Sequence, residues 1–192
     1  MESPTGQYNY TPLSRVCWGV DVVEAAAEEA AERRACRVLI IVSPSLRKAS
    51  RKPDDLARRL GDKCVGVFDA LKPHTPVASV RTLYQRVIET GADLLVSLGG
   101  GTPIDTAKVV LAMLAAKVSD PMNVADIQGD WGLPPVRQIA CPTTLSGAEF
   151  SDLAGLTNPK TNIKHRVSSV GIGPDCVIMD SEIVQHTPQD LW

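Results

Sequence analysis

The sequence predicts an α/β fold in which helices cover a mostly parallel sheet on both faces. Short apolar segments alternate with longer helical patterns along most of the chain, as in repeated strand–helix–strand units. The apolar segments are rich in Val, Ile and Leu without polar alternation, which is typical of strands buried on both faces. Three consecutive glycines, Gly99–Gly101, follow one of these segments and precede a run of helix-forming residues.

Five strands and four helices are predicted before residue 141, joined by right-handed crossovers. The strands are Arg15–Trp18, Val38–Val42, Cys64–Phe68, Leu94–Leu98 and Arg137–Ala140. The helices are Val22–Arg34, Asp54–Leu60, Val77–Thr90 and Ile104–Lys117. Further along, Ser151–Thr157 and Lys164–Val167 predict a hairpin that extends the sheet, and Cys176–Asp180 predicts a last strand.

The composition excludes several classes of protein. The formal net charge is -2 and 22% of residues are charged, so neither a nucleic acid nor a membrane surface is an expected partner. The N-terminus lacks a signal pattern, and no apolar run is long enough to span a bilayer. The five cysteines are scattered without Cys-x-x-Cys spacing, which indicates reduced thiols. We therefore expect a soluble cytoplasmic protein.

The glycine loop is a candidate phosphate cradle. Glycines let the backbone approach a ligand, and Pro103 fits the first turn of the following helix. The N–H groups and the partial positive charge at that helix start favour an anion such as a pyrophosphate. A tight turn without a ligand explains the glycines equally well. The loop is neither Gly-x-Gly-x-x-Gly nor a P-loop, because Lys108 lies inside the helix.

Three motifs, in order, identify a resemblance to a known family. Residues 99–108 read Gly-Gly-Gly-Thr-Pro-Ile-Asp-Thr-Ala-Lys, and residues 142–149 read Pro-Thr-Thr-Leu-Ser-Gly-Ala-Glu. The third is Pro174–Asp180, with Thr187-Pro188 after it. From about Arg15 to Trp192 the chain resembles the nucleotide-binding domain of iron-containing alcohol dehydrogenases, which belong with the dehydroquinate synthases in one superfamily. The resemblance implies a Rossmann-like sheet and NAD or NADP as cofactor.

A fourth segment is similar to one branch of that family, the maleylacetate reductases. It comprises Val67–Ala70 and His74–Val77. The reaction implied is hydride transfer between the nicotinamide and an alcohol, aldehyde or ketone, assisted by Fe²⁺ or another divalent metal in the complete enzyme. Members of the maleylacetate reductase branch need not hold a metal. A dehydroquinate synthase-like lyase and a non-catalytic nucleotide-binding fragment remain alternatives.

The resemblance implies a set of cofactor-binding residues but no catalytic residue and no metal ligand in this chain. The set is Gly99, Gly100, Gly101, Thr102, Asp105, Thr143, Thr144, Ser151 and Lys164. The glycine loop is expected on the pyrophosphate, the threonine pair near the adenine ribose, and Ser151 and Lys164 near the nicotinamide. Asp105 is expected either to contact a ribose or to compensate the helix dipole. Lys160 is the alternative to Lys164 as the lysine near the nicotinamide.

Other polar residues are expected to have structural roles. Glu149 is interpreted as a structural or capping carboxylate, and His74, His165 and His186 lack metal-ligand spacing. The cofactor preference stays open. The strand Val38–Val42 ends in Ser43-Pro44-Ser45 where many relatives carry an Asp, and Arg47 and Lys48 follow nearby.

The domain organisation expected from the resemblance has three parts. Residues 1–12 form a flexible N-terminus, residues 13–186 the dinucleotide-binding domain, and residues 187–192 the start of a truncated helical domain. In the family that helical domain carries the metal ligands and most of the substrate pocket. We therefore expect the isolated chain to be inactive. A small alcohol or carbonyl compound is the expected substrate, and a homodimer is an open possibility.

Overall fold

A computed structural model describes residues 13–158 and 160–191, with only the backbone of Leu191. Its centre is a six-stranded sheet in which every pairing is parallel. In sequence order its strands are β1 (Arg15–Trp18), β2 (Val38–Val42), β3 (Cys64–Phe68), β4 (Leu94–Gly99), β5 (Arg137–Pro142) and, after a hairpin, β8 (Cys176–Met179). Their spatial order is β1-β8-β5-β4-β2-β3. The predicted α/β class is confirmed, and the expectation for residues 1–12 lies outside the described residues.

Helices cover both faces of the sheet. They are α1 (Val22–Glu32), α2 (Pro44–Ala49), α3 (Lys52–Leu60), α4 (Val77–Thr90), α5 (Gly101–Ala116) and α6 (Ser181–Val184). Strand β2 shows why its sequence does not alternate. Leu39 and Ile41 join the apolar cluster under α4 and α5, while Val38 and Ile40 join the one under α1 and α3. Each face of the strand is therefore buried, which requires apolar residues at every position.

The sheet has a topological switch point between β2 and β4. The chain leaves β2 for β3 on one side through α3, and later leaves β4 for β5 on the other side through α5. These two helices pack on opposite faces of the sheet. In open α/β sheets such a reversal leaves a crevice at the carboxyl ends of the strands, where ligands bind. Ser43, just after β2, donates its N–H to the Leu98 carbonyl at 3.0 Å and so stands beside this crevice.

Two local features differ from the sequence prediction. The hairpin of β6 (Leu153–Thr157) and β7 (Lys164–Ser168) forms a separate antiparallel sheet instead of extending the central one. The hairpin instead buries its apolar residues Ala154, Leu156 and Val167 in the cluster that α5 also lines. Helix α2 was not predicted. It begins at Pro44, with the Ser43 hydroxyl accepting from the Leu46 N–H at 3.4 Å.

The chain forms one short turn after the predicted domain boundary at residues 186 and 187, and the boundary itself stays a prediction. Gln189–Leu191 form a single 3₁₀ turn, and the Thr187 hydroxyl donates to the Thr143 carbonyl at 2.6 Å. Trp192 lies outside the described residues. None of the helices in the described part of the chain is long and apolar enough to cross a membrane.

Candidate functional site

The three glycines form the tight turn between β4 and α5. Gly99 has a φ of +138°, and a Cβ there would lie 2.8 Å from the Ser43 Cβ and 2.9 Å from the Pro103 Cγ. A side chain at this position would therefore be strained and would collide with both neighbours. Gly99 consequently lets the carboxyl ends of β2 and β4 and the first turn of α5 meet at one point.

Gly100 and Gly101 let the segment 142–149 pack directly against the glycine loop. A Cβ on Gly100 would lie 2.9 Å from the Thr144 Cγ2, and one on Gly101 would lie 3.3 Å from the Ser146 Oγ. The space beside Gly100 is thus filled by Thr144 and does not stand open for a ligand. The two glycines allow the two loops to pack closely together. This packing in turn determines the shape of the crevice.

The start of α5 presents unpaired backbone donors. Gly100 is the N-cap residue, and no side chain among the described residues caps the N–H groups of the first turn. These groups and the aligned peptide dipoles create a partial positive charge at the start of a 16-residue helix. Such an end favours a phosphate group.

A cleft of about 530 Å³ opens beside this helix start. Five of the predicted residues line it: Gly101, Thr102, Asp105, Ser151 and Lys164. The other four, Gly99, Gly100, Thr143 and Thr144, lie at the adjoining strand ends. Thr143 is buried, and its N–H donates to the Gly99 carbonyl at 3.0 Å. The structure therefore brings both predicted loops to one edge of the sheet.

Asp105 connects α5 to the hairpin. Its Oδ2 accepts a hydrogen bond from the Gly155 N–H at 3.0 Å. Burial raises the pKa of Asp105, while the Gly155 hydrogen bond and the nearby Lys108 and Lys164 charges oppose that rise. Docking of the hairpin is a role that sequence reasoning did not assign to this carboxylate.

Lys164 reaches the cleft by crossing Gly155. The two residues lie on neighbouring strands, with Lys164 paired to Thr157 and Gly155 paired to Arg166. A Cβ on Gly155 would overlap the Lys164 side chain, whose methylenes occupy that space. The missing side chain thus clears the path along which the ammonium group approaches Asp105.

The cleft wall carries several basic groups. His74, Lys164, His165 and Arg166 line it, together with the carboxylate of Asp105. His74 and the buried Thr75 both have left-handed backbone, with φ of 65° and 52°. Such φ values are uncommon for residues other than glycine. The Thr157 hydroxyl donates to the His74 carbonyl at 2.6 Å, and the Thr157 N–H donates to the Thr75 carbonyl at 3.0 Å. The hairpin therefore fixes the segment that carries His74.

Lys108 is the residue that sequence reasoning missed. It is fully buried on α5, and its Nζ donates to the Leu153 carbonyl at 2.8 Å and also to the Ala148 carbonyl. Burial lowers the pKa of Lys108 to about 8, although nearby carboxylates oppose the change. The sequence contained one indication of this role, because Asp105 and Lys108 are the only charged residues of α5.

Glu149 is buried beside this lysine. Burial raises the pKa of Glu149, and its Oε2 has no hydrogen-bond partner among the residues that the structure describes. Glu149 lies within the turn Ala148–Phe150, and the structural or capping role expected for it stays a prediction.

The titration of Lys108 predicts a pH-dependent stability. Its pKa is about 8 in the folded chain and 10.5 ordinarily, so between these values the unfolded chain binds more protons. Stability must then rise with pH across this window, by roughly 3 kcal/mol at most. We expect the free energy of unfolding of the wild type, minus that of Lys108→Met, to increase from pH 7.5 to 10.5 in urea titrations. A constant difference would show that burial does not lower the pKa of Lys108 in the folded chain.

Within the part of the chain that the structure describes, two clusters of possible metal ligands lie outside the cleft. Their ligand atoms lie within 4.8 Å of one another, and their members are Cys17, Glu29 and Cys176, and Asp21, Asp180 and Glu182. In the first, Glu29 already pairs with Arg15 and Arg33. In the second, the Lys52 Nζ lies 2.9 Å from Glu182 and 3.7 Å from Asp180. Arginine or lysine side chains already pair with the carboxylates of both clusters, so neither cluster fits a ferrous ion. That this chain holds no metal ligand stays a prediction.

Comparisons with known proteins agree with this geometry. A family model described as iron-containing alcohol dehydrogenase matches residues 13–181. The dehydrogenase FUM7 of Gibberella moniliformis is 32% identical, with 92% of this chain and 45% of that protein covered. Maleylacetate reductase 2 of Cupriavidus pinatubonensis is 33% identical, with 92% and 42% covered.

A solved structure shows the same fold. The crystal structure of maleylacetate reductase from Agrobacterium tumefaciens superposes with a TM-score of 0.75 at 26% identity. It covers 99% of this chain and 47% of that one. The chain thus spans less than half the length of each of these proteins.

Proposed function

Because the chain belongs to the iron-containing alcohol dehydrogenase family, we propose that its cleft binds NAD(H) or NADP(H). In the complete enzyme this cofactor would exchange a hydride with an alcohol, aldehyde or ketone. One observation supports the proposal above the others: the uncapped start of α5 opens onto a cleft that also holds Lys164. Backbone donors and a lysine together suit the phosphates and ribose of a dinucleotide.

Different residues of this chain would bind different parts of the cofactor. The N–H groups of Gly101 and Thr102 would donate to the pyrophosphate, since they lie in the first turn of α5. Lys164 and Ser151 would hydrogen-bond the ribose on the nicotinamide side, because both line the cleft beyond that turn. Asp105 would keep the hairpin, and hence Lys164, in place.

Calorimetry of the 192-residue chain with NAD⁺, NADH, NADP⁺ and NADPH tests the proposal. We expect saturable binding of at least one of them without added metal, with a dissociation constant in the micromolar to millimolar range, about −8 to −4 kcal/mol. Lys164→Ala should weaken it, whereas Lys160→Ala on the same hairpin should not. Absence of heat with all four compounds would overturn the proposal.

A second candidate function is the reduction of an unsaturated oxo-dicarboxylate, as in a maleylacetate reductase. The positive charges of Lys164 and Arg166 at the cleft favour an anionic substrate. The discriminating measurement is the binding of maleate, a simple dicarboxylate, to the chain saturated with cofactor. Binding that Arg166→Ala weakens and Arg58→Ala leaves unchanged would favour this candidate over a neutral alcohol.

The end of β2 predicts how cofactor choice can be shifted. Ser43 packs against the Gly99 turn, and Pro44 follows it at the first position of α2. Arg47 already pairs with Asp54 at 2.6 Å, so it is not a free partner for a 2′-phosphate. Pro44→Asp should therefore shift preference toward NADH by about 1–3 kcal/mol, since a carboxylate repels the phosphate and accepts from a 2′-hydroxyl.

The ratio of NADPH and NADH dissociation constants measures this shift. Ser43→Asp is the companion variant, because it places the carboxylate one residue earlier at the same strand end. If neither variant moves the ratio toward NADH, this strand end does not face the adenine ribose.

A further inference from the structure

We propose that Lys108 is a positioning residue that holds the segment 148–153 across α5 and so forms one wall of the cleft. The proposal rests on the proposed function, because it assigns that wall to cofactor binding. It goes beyond it in naming a residue that lies behind the cleft and does not line it.

The geometry of the two hydrogen bonds carries the inference. The Lys108 Nζ donates to the carbonyls of Ala148 and Leu153, which are the two ends of one six-residue segment. Ala148, Ser151 and Leu153 all line the cleft. One ammonium group thus closes the segment into a loop whose outer side presents Ser151 to the cleft.

The end of the segment has anchors of its own, because the Asp152 carboxylate accepts from the Gly171 and Gly173 N–H groups and Leu153 begins β6, but the segment has little regular structure before Leu153. Its regular structure is a single 3₁₀ turn, Ala148–Phe150, whose preceding residue Gly147 has left-handed backbone. The exposed Phe150 contributes little burial here, with 42% of its surface accessible. The two Lys108 hydrogen bonds therefore tie the segment to a rigid helix.

The burial of Lys108 indicates that its two hydrogen bonds stabilise the fold. A fully buried ammonium group is costly unless it is paired and hydrogen-bonded. Here the charges of Asp105, Asp152 and Glu149 surround it, and two carbonyls accept its protons. A methionine would fill the volume without that cost but would leave both carbonyls without their donor.

Amide hydrogen exchange of the full chain tests the proposal without any ligand. In Lys108→Met we expect the amides of residues 148–153 to exchange at least about tenfold faster, while β2, β4 and α1 keep their protection. Lys117→Met, at the exposed end of the same helix, should change nothing. Lys108→Arg, which retains several donors, should recover most of the protection.

Calorimetry with NADH or NADPH provides the second readout. The dissociation constant should rise at least about tenfold in Lys108→Met and remain unchanged in Lys117→Met. If Lys108→Met does not fold, Lys108→Leu carries both measurements, because it also removes the donor to both carbonyls and keeps an apolar side chain at the buried position. Unchanged exchange in the segment, or faster exchange spread evenly over the chain, would overturn the proposal. The two proposals can fail separately. If Lys108→Met exchanges faster in residues 148–153 but the wild type binds no dinucleotide, the positioning role is supported and the proposed function is refuted.

Discussion

Gly100→Val is expected to abolish dinucleotide binding by this chain. A Cβ at this position would lie 2.9 Å from the Thr144 Cγ2 and 3.0 Å from its Oγ1, and the two valine methyl groups would extend further. The strand-end loop that carries Thr144 must then move away from the start of α5. Calorimetry should show a loss of affinity of at least about a hundredfold, which is about 2.7 kcal/mol.

A double-mutant cycle separates this steric cause from others. Gly100→Ala alone should weaken binding, because its Cβ meets the same two atoms. Thr144→Ala removes both of them and leaves the residue 144 Cβ at 3.6 Å, an ordinary contact. Gly100→Ala should therefore cost less affinity in the Thr144→Ala background than in the wild type. Equal costs in both backgrounds would show that the glycine acts by another route.

Gly155→Ala is expected to reduce dinucleotide affinity about tenfold to a hundredfold. The new methyl group would occupy the path of the Lys164 side chain and would force the ammonium group out of the cleft. A hydrogen bond to a charged group contributes about 1.5–3 kcal/mol, which sets the size of the loss. The dissociation constant for NADH or NADPH is the quantity to measure.

Lys164→Ala provides the control for this prediction. If Gly155→Ala acts only by displacing Lys164, the double variant should bind no more weakly than Lys164→Ala alone. A further loss in the double variant would mean that the alanine also breaks the hydrogen bond between the Gly155 N–H and Asp105.

The strands and long helices could be predicted because their local patterns agree with their tertiary positions. In β2, every residue is buried, so an unbroken apolar run was a reliable signal. Helix α2 was missed because it has only six residues and its start, Ser43-Pro44, is also typical of a turn. The hairpin's partner was predicted wrongly because sequence patterns show that two strands pair but not which surface they cover.

The sequence motifs predicted which segments of the chain form the candidate site. Gly101, Thr102, Asp105, Ser151 and Lys164 do meet around one cleft, although they come from three separate segments. What the sequence could not show is which atoms fill the space beside each glycine. The contact of Gly100 with Thr144 joins residues far apart in the sequence, and only the fold defines it. The contact of Gly155 with Lys164 lies within the predicted hairpin but depends on the strand register, which the sequence did not specify. The contacts of Lys108 could not be predicted either, because its carbonyl partners lie 40 and 45 residues away.

The most direct test of a dinucleotide site at the start of α5 is an amide chemical-shift titration of the labelled chain with NADH and NADPH. We expect the largest saturable shifts at the N–H groups of Gly100, Gly101, Thr102 and Gly155, which lie at or beside the cleft. The amides of Arg81–Glu89, around a separate surface cleft on α4, should stay unchanged. Saturable shifts confined to that second cleft, or none at all, would contradict the account.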